Sequence, residues 1–165
     1  NMAVLGQKER ISALTKDLIN LKFPNLLNNR YTITSQEATT YNCIAWAAGD
    51  TEKWWWPDKK NLYYWPSYAP REENLEAFIK AYEGLGYSRC SNMQYESGFE
   101  KIAIYIDTMG MPKHVARQVD QTHWTSKLGR LEDIQHTLDG VSGSEYGYPS
   151  IFMKRPIIMN FHSAS

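Results

Sequence analysis

From Lys101 onward, short apolar stretches alternate with turn signals, and this pattern leaves the chain little choice of fold. Ile102-Ala103-Ile104-Tyr105-Ile106 is an unbroken apolar run suited to a buried strand, and Met109-Gly110-Met111-Pro112 is a turn. His114 to Val119 reads as a second strand, Asp120 to His123 as a second turn, and Trp124 to Leu128 as a third strand. Strands joined by links this short run antiparallel, because a parallel pair needs a crossover of a dozen residues or more. Arg130 to Leu138 reads as a short helix with Leu131, Ile134 and Leu138 on one side. Ser150 to Met153 is a last strand before Pro156.

The first half has helical periodicity instead. Gln7 to Leu21 places Ile11, Leu14, Leu18 and Leu21 on one face, with Lys8, Arg10, Lys16 and Asp17 outside it. Phe23 to Gln36 is irregular apart from a short extended piece at Tyr31-Thr32-Ile33-Thr34. Asn42 is a suitable N-cap for a short apolar helix from Cys43 that ends near Gly49. Glu72 to Gly84 is a further helix with Leu75, Phe78, Ile79 and Tyr82 inward, and Glu72, Glu73 and Glu76 form its charged first turn. The class is therefore α+β, with helices packed on an antiparallel sheet meander. The 165 residues read as a single domain over 1–165, with a core of about 31–156 and the N-terminal helix at 7–21.

Eighteen basic and eighteen acidic residues cancel, so no charge excess points to nucleic acid or an anionic membrane. No apolar run approaches the ~20 residues of a membrane span, and no signal-peptide pattern opens the chain. The expected location is cytoplasmic, with Cys43 and Cys90 as reduced thiols. No CxxC or HExxH spacing suggests a metal, and no GxGxxG or GxxxxGKS loop suggests a nucleotide, so no cofactor is expected.

The chemistry-bearing residues are Cys43 and His114. A thiol in the first turn of a helix feels the positive end of the backbone dipole, which favours the thiolate. Burial beside Ile44 and Trp46 is the simpler reading of such a cysteine. Cysteine hydrolysis also needs a proton-shuttling imidazole and a group that orients it. His114 opens a strand directly after a turn, whereas His123 falls in a turn, His136 on the short helix and His162 in the tail. For the third group, a turn at 120–123 that pairs Val119 with Trp124 brings the third strand back past His114. Ser126 ranks first on position, with Asp133 and Asp107 as carboxylate alternatives.

This order resembles the papain-like superfamily, and in particular the compact NlpC-type amidases and peptidases: Cys at a helix start, the strand Lys101-Ile102-Ala103-Ile104-Tyr105, His114, then a polar residue on the third strand. More closely, Tyr41 to Gly49, Gly98 to Ala103, His114 to Gln118, Trp124 to Gly129 and Met153 to Pro156 are similar to a family of uncharacterised bacterial proteins. The resemblance implies a papain-like α+β fold and a thiol mechanism on amide bonds of a peptide or protein substrate. In NlpC-type enzymes the third residue is usually His, Asn or Gln, where this chain has Ser126.

Between these segments lie Trp54-Trp55-Trp56-Pro57 and Tyr63-Tyr64-Trp65-Pro66, a long aromatic loop. Trp54, Trp55, Trp56 and Trp65 are candidate substrate-binding residues, since three consecutive tryptophans on one loop leave at least one exposed. Gln36, a little upstream of Cys43, is a candidate oxyanion donor by the same resemblance. The alternative to an enzyme is a non-catalytic module that presents the Trp54 to Trp65 loop to a peptide or carbohydrate.

Overall fold

The computed structural model describes residues 7–35 and 38–158. Its centre is a seven-stranded sheet in which every neighbouring pair is antiparallel. The strands are β1 (Thr32–Ile33), β2 (Ser88–Cys90), β3 (Phe99–Ile106), β4 (Pro112–Gln118), β5 (Trp124–Lys127), β6 (Asp133–His136) and β7 (Tyr148–Pro156). They lie in the order β1-β6-β5-β4-β3-β7-β2. The α+β class with an antiparallel meander is thus present, and β3, β4, β5 and β6 are its consecutive strands.

Among the described residues three α-helices accompany the sheet: α1 (Gln7–Lys22), α2 (Cys43–Ala48) and α3 (Leu75–Glu83). Side chains of β3 and β4 point alternately to opposite faces, as the strand period of two requires. Ile102, Ile104 and Val115 pack with Cys43, Ile44, Trp55, Trp65, Phe78 and Tyr82 on the face that carries α2 and α3. Ala103, Tyr105 and Ala116 pack with Ile19, Phe23, Leu26, Trp124 and Ile134 on the other.

Several sequence expectations are corrected. The stretch from Arg130 to Leu138 is not a helix. Asp133–His136 is strand β6, paired with β5 on one side and β1 on the other, and Leu138–Val141 is a 3-10 turn. The i, i+3, i+7 spacing of Leu131, Ile134 and Leu138 loses to ladder bonds that only a strand can make on both edges. The helix α1 forms where expected, but Leu14, Leu18 and Leu21 are exposed, at 68%, 40% and 78%, while Ile19 is fully buried. α3 begins at Leu75 because Asn74 caps it through Ala77 N–H, 2.9 Å, so Glu72 and Glu73 precede the helix. Their carboxylates instead accept from Asn74 Nδ2 and Trp56 Nε1. β7 runs well beyond Ser150 to Met153 in both directions.

Candidate functional site

The helix carrying Cys43 is fixed by one side chain. Asn42 is the N-cap of α2, its Oδ1 accepting from Ala45 N–H at 3.1 Å. The same oxygen accepts from Trp55 N–H at 3.1 Å, and Asn42 Nδ2 donates to the Trp55 carbonyl at 2.7 Å. The capping residue therefore also clamps the aromatic loop to the helix. Gly49 closes α2 in the left-handed region at φ 86°, where a side chain would be strained.

Cys43 is a free thiol, 7% exposed. Burial pushes its pKa up to about 11, against the pull of the Val115, Ile44 and Cys43 backbone N–H groups and of the Lys127 cation. The expected thiolate-favouring effect of the helix start is outweighed: desolvation of a buried charge exceeds what a six-residue helix and its neighbours return. The contact with the Val115 amide places the sulfur against β4. There, β4 and β5 pair at Arg117–Thr125 and Gln118–Trp124, and among the described residues the ladder does not continue towards His114. The thiol meets Val115 N–H on a part of β4 that β5 leaves open. The pairing is one residue from the expected Val119–Trp124 register.

His114 is fully buried on the opposite face, opposite Tyr105 in the β3–β4 ladder and stacked by Tyr146 at 3.9 Å between ring centroids. Its Nε2 lies 2.7 Å from Ser126 Oγ. Ser126 Oγ in turn lies 2.6 Å from His136 Nε2, and His136 Nδ1 donates to the Thr137 carbonyl at 2.5 Å. Ser126, Trp124 and Ile134 share the face of His114 because β5 and β6 pair Ser126 with Ile134, which sets His136 diagonal to the serine. Burial lowers the pKa of both imidazoles, His136 to about 4 and His114 well below 6.5, with the charge of His136 adding to the effect on His114. Both rings are neutral at pH 7. His114 Nδ1 is a buried nitrogen with no hydrogen-bond partner among the described residues.

The structure thus brings Ser126 to His114 and does not join Cys43 to His114 by a hydrogen bond among the described residues. Asp107 is not at the ring: it closes the β3–β4 turn by accepting from Met109 and Met111 N–H, and it faces Lys113. Asp133 accepts from Tyr41 Oη at 2.9 Å. Gln36 and His162 lie outside the described residues. The sequence does not mark His136 as a partner, because the Leu131, Ile134, Leu138 spacing predicts a helix there; the Asp133-Ile134-Gln135-His136 alternation is the signal for the strand.

None of Trp54, Trp55 and Trp56 is exposed: Trp55 is buried and the other two are half-buried. The indole N–H groups of Trp55, Trp56 and Trp65 donate to Asp50, Glu73 and the Pro70 carbonyl. The expectation of an exposed tryptophan fails because internal carboxylates and ring contacts take up all three. Trp54 lies beside Tyr63 and under Arg130. Outward exposure on the loop falls instead to Leu62, Tyr63, Tyr64 and Tyr68. Arg117 is held over Trp46, and Lys127 is buried with Nζ donating to the Gly129 and Leu131 carbonyls.

Among the described residues no helix is long and apolar enough to cross a membrane, and no group of three or more His, Cys, Asp or Glu is arranged to hold a metal ion. Comparison with curated proteins and with solved structures finds no match. The family described as a domain of unknown function, DUF7689, matches residues 32–154, a span that holds β1 to β6, α2, α3 and most of β7, and the chain belongs to that family.

Proposed function

We propose that the protein is a cysteine hydrolase or acyl-transfer enzyme of papain-like design, acting on an amide bond of a peptide or protein substrate. The observation that carries this reading is the unpartnered Nδ1 of His114, one residue along β4 from the amide that meets the Cys43 thiol. A neutral imidazole with an open lone pair is what a general base needs. In the proposed reaction the Cys43 proton passes to His114 Nδ1 as sulfur attacks the carbonyl carbon. The tetrahedral oxyanion takes a hydrogen bond from the Cys43 backbone N–H. Protonated His114 then gives its proton to the leaving amine as the C–N bond breaks. Water, deprotonated by the same nitrogen, cleaves the thioester and restores the thiol. In the resting structure thiol and imidazole are both neutral and covered, and they pack on opposite faces of β4, so substrate entry has to rearrange the open edge beside Val115 and bring the two together before the proton moves.

An activated acyl donor tests this without knowledge of the natural substrate. Incubation with p-nitrophenyl acetate, followed by peptide mass spectrometry, is expected to find an acetyl thioester on Cys43 that His114→Ala no longer accumulates. Acylation spread over lysines alone, or equal labelling of Cys43 in the His114 variant, removes the basis for the reading.

A further inference from the structure

The proposed base works only if the His114 proton resides on Nε2, leaving Nδ1 free. Ser126 by itself does not secure this. A hydroxyl has one proton and two lone pairs, so it is able to donate to a bare Nε2 or to accept from a protonated one. With the first choice His114 carries its proton on Nδ1 and has no bare nitrogen outside its bond to Ser126.

His136 removes the ambiguity. A backbone carbonyl only accepts, so the 2.5 Å contact between His136 Nδ1 and the Thr137 carbonyl requires a proton on Nδ1. In the neutral ring Nε2 is then a bare acceptor, and the Ser126 hydroxyl 2.6 Å away must donate to it. With its only proton committed, Ser126 Oγ is left to accept, and His114 Nε2 at 2.7 Å must donate. Three buried side chains and one carbonyl thereby form a directed chain whose far end is the lone pair on His114 Nδ1. We infer that His136 is a positioning residue: acting through Ser126, it locks His114 in the Nε2–H tautomer and so makes Nδ1 the basic nitrogen. This rests on the cysteine-hydrolase reading for its purpose but not for its geometry. It also explains how a serine serves where a carboxamide or imidazole would orient the ring unaided: a second histidine supplies the direction that a hydroxyl lacks.

The test is the long-range ¹H–¹⁵N correlation spectrum of the imidazoles in the ¹⁵N-labelled full chain at neutral pH, which needs no mutation. The expected pattern is Nε2–H for His114 and Nδ1–H for His136. In His136→Leu, which removes the acceptor, His114 is expected to shift towards Nδ1–H, and Cys43 acylation to fall at least about tenfold, a fraction of the ~100-fold or more that a general base supplies. His136→Gln, whose Oε1 is able to take the place of Nε2, is expected to restore both. A wild-type His114 with its proton on Nδ1 overturns the inference. So does a folded His136→Leu protein whose His114 tautomer and acylation are unchanged. Should the tautomers be as stated while wild-type Cys43 takes no acyl group, the chain of bonds stands and the hydrolase reading falls.

Discussion

Tyr146 lies flat on His114, with ring centroids 3.9 Å apart and planes 4° from parallel. Its other ring contact among the described residues is Phe23, 4.9 Å away, so the phenol is held between a buried imidazole and the core beneath α1. Tyr146 belongs to a tight loop in which Gly143 and Gly147 exchange both backbone bonds. Gly147 has φ 75°, and a Cβ there would fall onto the Ile106 carbonyl, so this loop sits directly on the end of β3. Burial raises the Tyr146 pKa well above 10, and a Cys43 thiolate would raise it further, which places the phenol within electrostatic reach of the sulfur.

Removing this ring should uncover His114 and loosen the path to Cys43. Tyr146→Ala is expected to destabilise the fold by about 3 kcal/mol, as for other large-to-small aromatic changes, and to speed Cys43 alkylation by iodoacetamide. Tyr146→Phe, which keeps the stack, should leave alkylation near the wild-type rate. Urea midpoints and the timed appearance of the alkylated Cys43 peptide give both readings. Equal alkylation in all three proteins would mean that Tyr146 does not cover the site.

The thiol should make stability depend on alkaline pH. Folding raises the Cys43 pKa from 9.0 to about 11, so the native state binds the proton more tightly than the unfolded one. The associated stability is fully present below about pH 9 and is lost as pH rises through about 11. Two pKa units correspond to a loss on the order of 2–3 kcal/mol. Subtracting the profile of Cys43→Ala isolates this contribution from Tyr82, Tyr105 and Tyr146, whose pKa values burial also raises. Parallel profiles for the two proteins between pH 8.5 and 11 would contradict the burial argument.

Asn42 should matter beyond its role as a cap. Asn42→Ser retains an oxygen for Ala45 N–H but cannot also bridge Trp55, so the two functions separate. A lost cap alone is worth about 1 kcal/mol, and stranding the buried Trp55 carbonyl and amide adds roughly 1–3 kcal/mol. Asn42→Ala is expected to lose both contributions and Asn42→Ser mainly the second. Denaturation followed by tryptophan fluorescence tests this, since Trp55 reports on the clamp. Asn42→Ser with wild-type stability would show that the Trp55 bonds contribute nothing.

Local signals in the sequence survived wherever a segment's own chemistry decides its shape. The meander is legible because apolar runs and turns alternate there, and α2 because Asn42 and Gly49 bracket it. Proximity of Ser126 to His114 follows from strand order even though the register was off by one residue. What failed needed partners far along the chain. β6 is a four-residue strand whose ladder runs on both sides, and nothing in Arg130 to Leu138 announces those neighbours. The outward leucines of α1 show the same limit: periodicity finds a helix, but the sheet chooses which side is covered. A helix over Arg130 to Leu138 would not pair with β5, so the bond from His136 to Ser126 follows only once β6 is a strand.

Acid should unfold the protein through the same two imidazoles. Burial holds His136 at about 4 and His114 well below 6.5, so the unfolded chain binds protons that the native state refuses. Their contribution is present above about pH 6.5 and is lost as pH falls through the native values. For His136, a depression from 6.5 to about 4 corresponds to roughly 3 kcal/mol. His136→Gln, which has no titrating group but keeps an acceptor for Ser126, should therefore lose less stability than wild type between pH 7 and pH 4. Denaturant midpoints across that range provide the comparison. His114 remains in the variant and no longer has a second imidazole beside it, so a residual slope is expected. An acid profile indistinguishable from wild type would mean that His136 has the same pKa in the folded and the unfolded chain, so that burial does not hold the ring neutral. The directed chain to His114 would then break up as pH falls through about 6.5, the ordinary imidazole value, instead of persisting to about 4.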